Sequence, residues 1–276
     1  MNYRHAFHAG NHADVLKHAV LLLCLEALAR KPASFAVLDT HAGRGRYDLT
    51  APEAARNPEW REGVARLLDW RDAPASLLPY LAALRRENPE GLRNYPGSPL
   101  LVQALLRPGD AHILCELHPE EAAALKDALA EKARIHIRDG FQAVGALLPP
   151  NANRGLVLLD PPYERTDELE RSVAALQDGL RRFRQGVYLW WRPLKAPGLI
   201  AAADAELAGT GERFKALRAD LRIRATESRG LGASSLLIVN PPFGLEQALA
   251  ELLPALAARL AQDGEAGWKL KALGAL

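Results

Sequence analysis

Seven short apolar runs punctuate this sequence, at residues 35–39, 112–116, 134–138, 156–160, 187–191, 221–226 and 236–240, several of them closing on an acid. Runs that are apolar on both faces must be covered on both, which is the condition of a parallel sheet with crossover helices. Between them apolar residues recur at helical spacing, at 13–30, 98–107, 119–131, 140–148, 167–183 and 204–216, with a last helix pattern at 245–260. The alternation predicts an open α/β fold of about seven strands. No internal repeat is present.

Two spacings refine the topology. The first strand ends at Asp39 and the second begins near His112, far more chain than one crossover needs. The excess, residues 51–96, predicts a small helical subdomain inserted into an α/β domain made of 1–50 and 97–276. Its patterns Trp60/Val64/Leu67/Leu68 and Leu77/Leu78/Leu81/Leu84 have helical spacing, and its bases and acids balance. At the other end only residues 227–235 join the sixth and seventh strands. That is too short for a parallel crossover, so the last strand is predicted to be antiparallel.

With 49% apolar residues, 25% charged and a formal charge of +2, the chain is neither disordered nor of low complexity. The longest strongly apolar run, residues 19–25, is much shorter than the ~20 residues a bilayer requires. The first 18 residues carry Arg4, Asp14, Lys17 and four histidines where a signal peptide would be apolar. The expectation is a cytoplasmic protein without a membrane segment. Cys24 and Cys115 sit apart in apolar surroundings and read as core residues of a reducing compartment.

Charge is more informative by position. Arg181, Arg182, Arg184, Arg192 and Lys195 follow one another with no acid between Leu180 and Ala203, and the stretch 212–229 is again mostly basic. Either stretch suits a polyanion, and either suits a solvated helix face.

The chemistry-bearing residues cluster at strand ends. Asp39-Thr-His-Ala-Gly43-Arg-Gly45 makes a glycine-rich turn after the first strand, where a backbone can approach a ligand closely. It lacks the third glycine of a dinucleotide fingerprint. Glu116 closes the second strand and Asp139-Gly140 follows the third. Each acid alone reads equally as a helix cap, but together they line the carboxyl ends of neighbouring strands, where such sheets bind ligands. Asp160-Pro161-Pro162-Tyr163 is sharper. The prolines hold the chain extended, so the Asp160 carboxylate and the Pro161 carbonyl can both accept from an exocyclic amino group, with Tyr163 as a stacking face. A rigid turn is the plainer reading. Asn240-Pro241-Pro242-Phe243 is set aside because an antiparallel strand would aim it the other way.

The N-terminal run from Tyr3 to His18 is rich in histidine. Without an HExxH pattern or cysteine pairs, a metal site built from His8, His12, His18 and Asp14 is not expected. Asn11 is expected to cap a helix carrying Asp14, Lys17 and His18, and Lys17 would suit a small carboxylate.

Taken together, Asp39-x-His-Ala-Gly43-x-Gly45 and Asp160-Pro-Pro-Tyr163 resemble S-adenosylmethionine-dependent methyltransferases acting on exocyclic amines. The Tyr3–His18 run, Asp-Thr-His-Ala-Gly, Tyr95-Pro-Gly-Ser98 and Glu116-Leu-His-Pro are similar, over nearly the whole chain, to the bacterial 23S ribosomal RNA adenine-N6 methyltransferase J family. The resemblance implies a class I, Rossmann-like methyltransferase domain. His18, His41, Ser98, Glu116, Asp139 and Gly140 would contact S-adenosylmethionine, with Lys17, Asp39, Gly43 and Asp160 beside them. Asp160, Pro161 and Tyr163 would act on the target amine, and Tyr3, Arg4 and Tyr163 would meet the RNA. It implies a monomer acting on naked or partly assembled 23S rRNA, without metal. Methylation of DNA at adenine N6 or cytosine N4 stays open, as does a non-catalytic RNA-binding module with a vestigial cofactor fold.

Overall fold

Successive residues of the central strands enter two separate cores, as a sheet covered on both faces requires. Val37, Leu156, Leu158 and Leu189 belong to one buried cluster, whereas Leu38, Val157, Leu159 and Trp190 belong to the other. The computed structural model describes residues 4–130, 133–209, 214–225 and 230–273. Tyr3, the end of the expected helix at Glu131, and the bases Arg213 and Arg229 lie outside the described residues.

The strands are β1 (Ala36–Asp39), β2 (Arg46–Asp48), β3 (Asn94–Pro96), β4 (Ala111–Cys115), β5 (Arg134–His136), β6 (Gly155–Leu159), β7 (Val187–Pro193), β8 (Ala216–Arg222), β9 (Ala233–Val239) and β10 (Gly267–Leu273). The α-helices are α1 (His12–Ala29), α2 (Pro52–Arg56), α3 (Glu59–Glu62), α4 (Leu78–Glu87), α5 (Ser98–Gln103), α6 (Pro119–Leu129), α7 (Gly140–Leu147), α8 (Glu168–Arg182), α9 (Pro197–Ala208) and α10 (Leu245–Leu260). One sheet runs β10-β8-β9-β7-β6-β1-β4-β5, and β2 pairs with β3 alone. Strands β1, β4, β5, β6 and β7 are mutually parallel, and β9 lies antiparallel between β7 and β8. The chain leaves β1 toward β4 and β5, then returns to β6 on the other flank of β1. A crevice therefore opens at the carboxyl ends of β1 and β6, where crossovers part to opposite sides.

The antiparallel strand agrees with its short connection; the strand count does not. The sheet has an eighth strand, β10, antiparallel to β8 at the edge. The strand expected at 221–226 runs instead from Ala216 to Arg222, because Arg218 and Asp220, which look like surface residues, neutralise each other within it at 2.9 Å. The helix expected at 204–216 begins earlier, with Pro197 in its first turn, where a missing N–H costs nothing. The helix expected at 98–107 stops at Gln103. Beyond it Arg107 folds back onto Asp110 and the carbonyls of Ala29, Lys31 and Ala33.

Helix α1 is buried along most of its length, with Leu16, Leu21 and Leu25 at 0% exposure. Asn11 caps it, accepting from the amides of Ala13 at 2.9 Å and Asp14 at 3.1 Å. The inserted segment packs on this same helix: Val64, Leu67, Leu77, Tyr80, Leu81 and Leu84 share its core cluster. Among the described residues no helix is long and apolar enough to cross a membrane. Cys24 and Cys115 are buried and unpaired.

The insertion meets the N-terminal segment at a tight contact. The amide of Val64 donates to the Gly10 carbonyl at 2.8 Å. A Cβ on Gly63 would lie 2.1 Å from that carbonyl oxygen, a backbone atom with nowhere to go. Gly63→Ala is therefore expected to destabilise the protein by about 1–3 kcal/mol, the cost of overpacking a close-packed site. Gly198→Ala, whose Cβ would meet nothing within 4 Å, serves as control. Thermal denaturation of both variants checks it; equal midpoints would show the contact to be slack.

Candidate active site

The turn after β1 is shaped by close approaches. A Cβ on Gly43 would stand 2.3 Å from the Tyr47 hydroxyl, and one on Gly140 2.0 Å from the Thr40 carbonyl oxygen. Only glycine lets the start of α7 press this closely against the β1 turn. Glu116 braces the turn, one oxygen accepting from the Gly43 amide at 2.8 Å and the other from the His118 amide at 2.8 Å. Both amides leave further lone pairs on that carboxylate. Burial pushes its carboxyl up.

Asp39 is fully buried at the end of β1, taking hydrogen bonds from the Ser98 hydroxyl at 2.6 Å and the His41 amide at 3.3 Å. Burial pushes its carboxyl up to about 7 against the Ser98 bond, and the charge of Asp160 adds to the rise. His41 is lowered to about 4 by burial and is neutral at ordinary pH. Asp139 is both things the sequence allowed. It caps α7, accepting from the amides of Phe141 and Gln142, and it lines the cleft.

Asp160 follows β6, and the turn beyond it is fixed at Tyr163. That residue has φ of 53°, and its hydroxyl donates to the Trp191 carbonyl at 2.9 Å while accepting from the Trp190 indole N–H at 2.9 Å. The Tyr163 ring meets Trp191 edge-on, 5.7 Å between centroids. Lys17 reaches this loop from α1. Expected to meet a ligand carboxylate, it is found between two carboxylates of the chain, Asp14 at 2.8 Å and Asp160 at 2.5 Å. Burial works against the ammonium, but the two acids raise its affinity for the proton overall. Asp14, buried as well, is held well below the usual carboxylate range by His5 and Lys17. It accepts from His5 at 2.9 Å and from the Gly10 amide at 2.8 Å. His18 hydrogen-bonds the Tyr95 hydroxyl at 2.7 Å and is held far below its ordinary value by burial.

A cleft of about 680 Å³ joins most of these groups, but Asp39 is fully buried and does not line it. His41, Gly43, Ser98, Glu116, Asp139 and Gly140 line this cleft, as do Asp160, Pro161, Tyr163, Trp191, Lys195 and Glu59. Lys17 and His18 also line it. Glu59 comes from the insertion and had no mark in the sequence. His8 at 3.1 Å, Asn11 at 2.9 Å and Asn57 at 3.0 Å hold it. Arg4 lies apart on the surface, 3.7 Å from Glu120, and Tyr3 lies outside the described residues. Among the described residues no cluster of His, Cys, Asp and Glu has the make-up of a metal site. Arg44, unassigned from sequence, forms a two-pronged bond to Glu121 at 2.8 and 2.6 Å.

The basic stretch reads differently in three dimensions. Arg181 and Arg182 pair with Asp178 at the far end of α8, and the Arg184 carbonyl packs against Asn240 at the start of β7, opposite to Asp160. Arg192 is buried, bonded to Asp204 at 2.5 Å. Of the five bases only Lys195 reaches the cleft, joined by Gly230 and Leu231 of the loop before β9. Phe243, at the far end, is 97% exposed.

Residues 32–273 match the family model described as ribosomal RNA large subunit methyltransferase D, RlmJ. The chain is 41% identical over 276 residues to ribosomal RNA large subunit methyltransferase J of Haemophilus influenzae, covering 98% of each. It is 42% identical over 268 residues to the enzyme of the same name from Escherichia coli, covering 96% of this chain and 95% of that one. A crystal structure of a Legionella pneumophila protein matches with a TM-score of 0.88 at 30% identity, over 96% of this chain and 98% of its own.

Removing the shared cation tests how the loop is held. Lys17→Met would leave Asp14 and Asp160 facing each other, and breaking a buried pair this way costs roughly 3–5 kcal/mol at neutral pH. The loss should shrink as pH falls, because the orphaned carboxylates then take up protons in the folded state more readily than in the unfolded one. Urea unfolding of both proteins from pH 4 to pH 8 checks this; a constant difference would mean the acids do not feel each other.

Proposed function

The chain belongs to the ribosomal RNA large subunit methyltransferase J family, and from that membership we propose that it transfers the methyl group of S-adenosylmethionine to N6 of an adenine in 23S rRNA. The observation that carries the reading is Asp160: a carboxylate gripped by a buried lysine, beside a locked tyrosine ring, lining a cleft that also holds the acceptors Glu116 and Asp139.

Several residues of the cleft fit the donor. Glu116 keeps lone pairs for ribose hydroxyls, and Asp139 offers an acceptor to a purine amine. The glycine at 140 lets the start of α7 close onto the turn after β1, where a Cβ would strike the Thr40 carbonyl. In this reading His18, His41, Ser98, Asp39, Gly43 and Lys17 complete the donor's surroundings. When bound, S-adenosylmethionine supplies a methyl group on a positively charged sulfur, already reactive toward an amine.

The chain's own part is positioning and electrostatics. Lys17 occupies one oxygen of Asp160 and fixes the carboxylate plane, leaving the other oxygen to accept an N–H of the target amine. The Pro161 carbonyl accepts the second. Drawing on both N–H bonds turns the nitrogen lone pair out of conjugation with the ring and toward the methyl group. As the nitrogen bonds the methyl, the methyl's bond to sulfur breaks with its electron pair left on sulfur, and the proton the amine gives up passes to solvent. Tyr163 offers its face to the base, an interaction worth ~1–3 kcal/mol. An adenine in a paired stem hides N6, so the target is unpaired or flipped out. Lys195, at the cleft, is then available to its flanking backbone, and family membership adds Tyr3 and Arg4 as RNA contacts, Arg4 from the surface outside the cleft. In the same reading residues 1–50 and 97–276 form the methyltransferase domain and 51–96 an inserted subdomain. The enzyme acts as a monomer in the cytoplasm, on naked or partly assembled rRNA.

Asp160→Ala is expected to cut turnover roughly a hundredfold or more, as losing one placed electrostatic contact does, with much smaller change in donor affinity. Asp160→Asn keeps an acceptor and should be milder. The assay offers labelled S-adenosylmethionine with naked 23S rRNA, pre-ribosomal particles or duplex DNA, followed by mass-spectrometric mapping of the product. Turnover of Asp160→Ala within about tenfold of wild type would remove Asp160 from the mechanism. Label in DNA alone would favour a DNA methylase, and RNA binding without label a non-catalytic module.

A further inference from the structure

Arg171, on the second turn of α8, plays no part in the mechanism above, yet it reaches the cleft. Its guanidinium donates to one oxygen of Asp139 at 2.6 Å and lies over the Phe141 ring, 4.3 Å from carbon to centroid. The other oxygen of Asp139 is occupied by the amides of Phe141 at 2.9 Å and Gln142 at 3.2 Å. His41 closes the group, its ring edge-on to Phe141 at 5.0 Å. One cation thus fixes both an acceptor and an aromatic plane in the same cleft. Lysine, a point charge without a flat face, would hold only the first.

We propose that Arg171 is a positioning residue for the purine of S-adenosylmethionine, acting through Asp139 and Phe141 and touching neither the sulfonium nor the target amine. This rests on the reading of the cleft as the donor site. A purine bearing an amine needs a flat apolar neighbour and an acceptor at fixed separation, and without Arg171 each would be free to turn. Bound to Arg171, both are set before the ligand arrives, so binding does not bear the entropy of ordering them. Burial opposes the ionised form of Asp139, but Arg171 and the two amides hold its carboxyl below the usual range, so it remains an acceptor at neutral pH.

Calorimetric titration of S-adenosylhomocysteine and of its inosine analogue, which carries an exocyclic carbonyl oxygen in place of the amine, tests the proposal on wild type, Arg171→Ala and Arg171→Lys. For Arg171→Ala the expected loss of affinity is roughly ten- to a hundredfold, that of a charge-assisted hydrogen bond. The preference for adenine over the inosine analogue should fall with it, and Arg171→Lys should recover part of both. In turnover assays KM for the donor should rise in step with Kd while kcat moves much less. Unchanged affinity and preference in Arg171→Ala overturn the proposal, as does equal weakening of both ligands, which marks a general structural role. If Arg171→Ala does not fold, Arg171→Lys carries the test: full wild-type affinity and preference would show that the flat guanidinium is dispensable. Wild type binding neither ligand would overturn the donor reading itself.

Discussion

A single ammonium group serves two carboxylates at the heart of this molecule. Asp14, on the first turn of α1, and Asp160, at the end of β6, both lean on Lys17. Asp14 has no reason to stay ionised in its buried place without a cation, and the buried cation has no reason to be there without the two acids. The triad ties the N-terminal helix to the loop after β6; His5 and the Gly10 amide bond the Asp14 carboxylate, while Asn11 caps the same residue's amide. Two acids against one lysine also leave a negative balance at the cleft. A ligand bearing positive charge beside Asp160 relieves it, whereas an anion there would add to it.

Much of this was legible in sequence because it depends on strand ends. Glu116, Asp139 and Asp160, which line the cleft, were picked out by position alone, since an acid closing an apolar run lands where parallel sheets leave their crevice, whereas Asp39, picked out the same way, is fully buried and does not line it. The caps at Asn11 and Asp139 were likewise readable from local chemistry. What escaped was whatever depends on partners distant in the chain. Glu59 enters the cleft through His8 and Asn11, about fifty positions earlier, and no local pattern announces it. Lys17 was recognised as a carboxylate binder, but its partners, Asp14 and Asp160, emerged only from folding. Arg171 sits in an ordinary helix face until Asp139 arrives from another element.

The basic stretch shows the opposite failure, a pattern too easily read. Counting charges along 181–195 assumes that neighbours in sequence share a surface, but α8 ends and β7 begins within it. Arg192 consequently lies in a strand interior with Asp204, and Arg181 at the opposite rim with Asp178. The Gly267–Leu273 edge strand was missed for want of burial. Its Trp268-Lys-Leu-Lys-Ala alternation is a strand signal, but it is only half covered and lies beyond the last helix. Direction matters as much as composition: Asp160-Pro-Pro and Asn240-Pro-Pro follow similar strands, and only the reversal of β9 separates a cleft residue from a turn on the far rim.

The contact between Gly10 and Gly63 bears on how this architecture can be rebuilt. Residues 51–96 look, in sequence, like a cassette dropped into a finished fold. Their inner surface, however, is shaped against the backbone of the first turn of the chain, and one of their side chains is spoken for by His8 and Asn11. The unit of inheritance is therefore larger than the unit of insertion. Exchanging these helices between relatives should succeed only when the first dozen or so residues travel with them, as two halves of one joint cut from the same template.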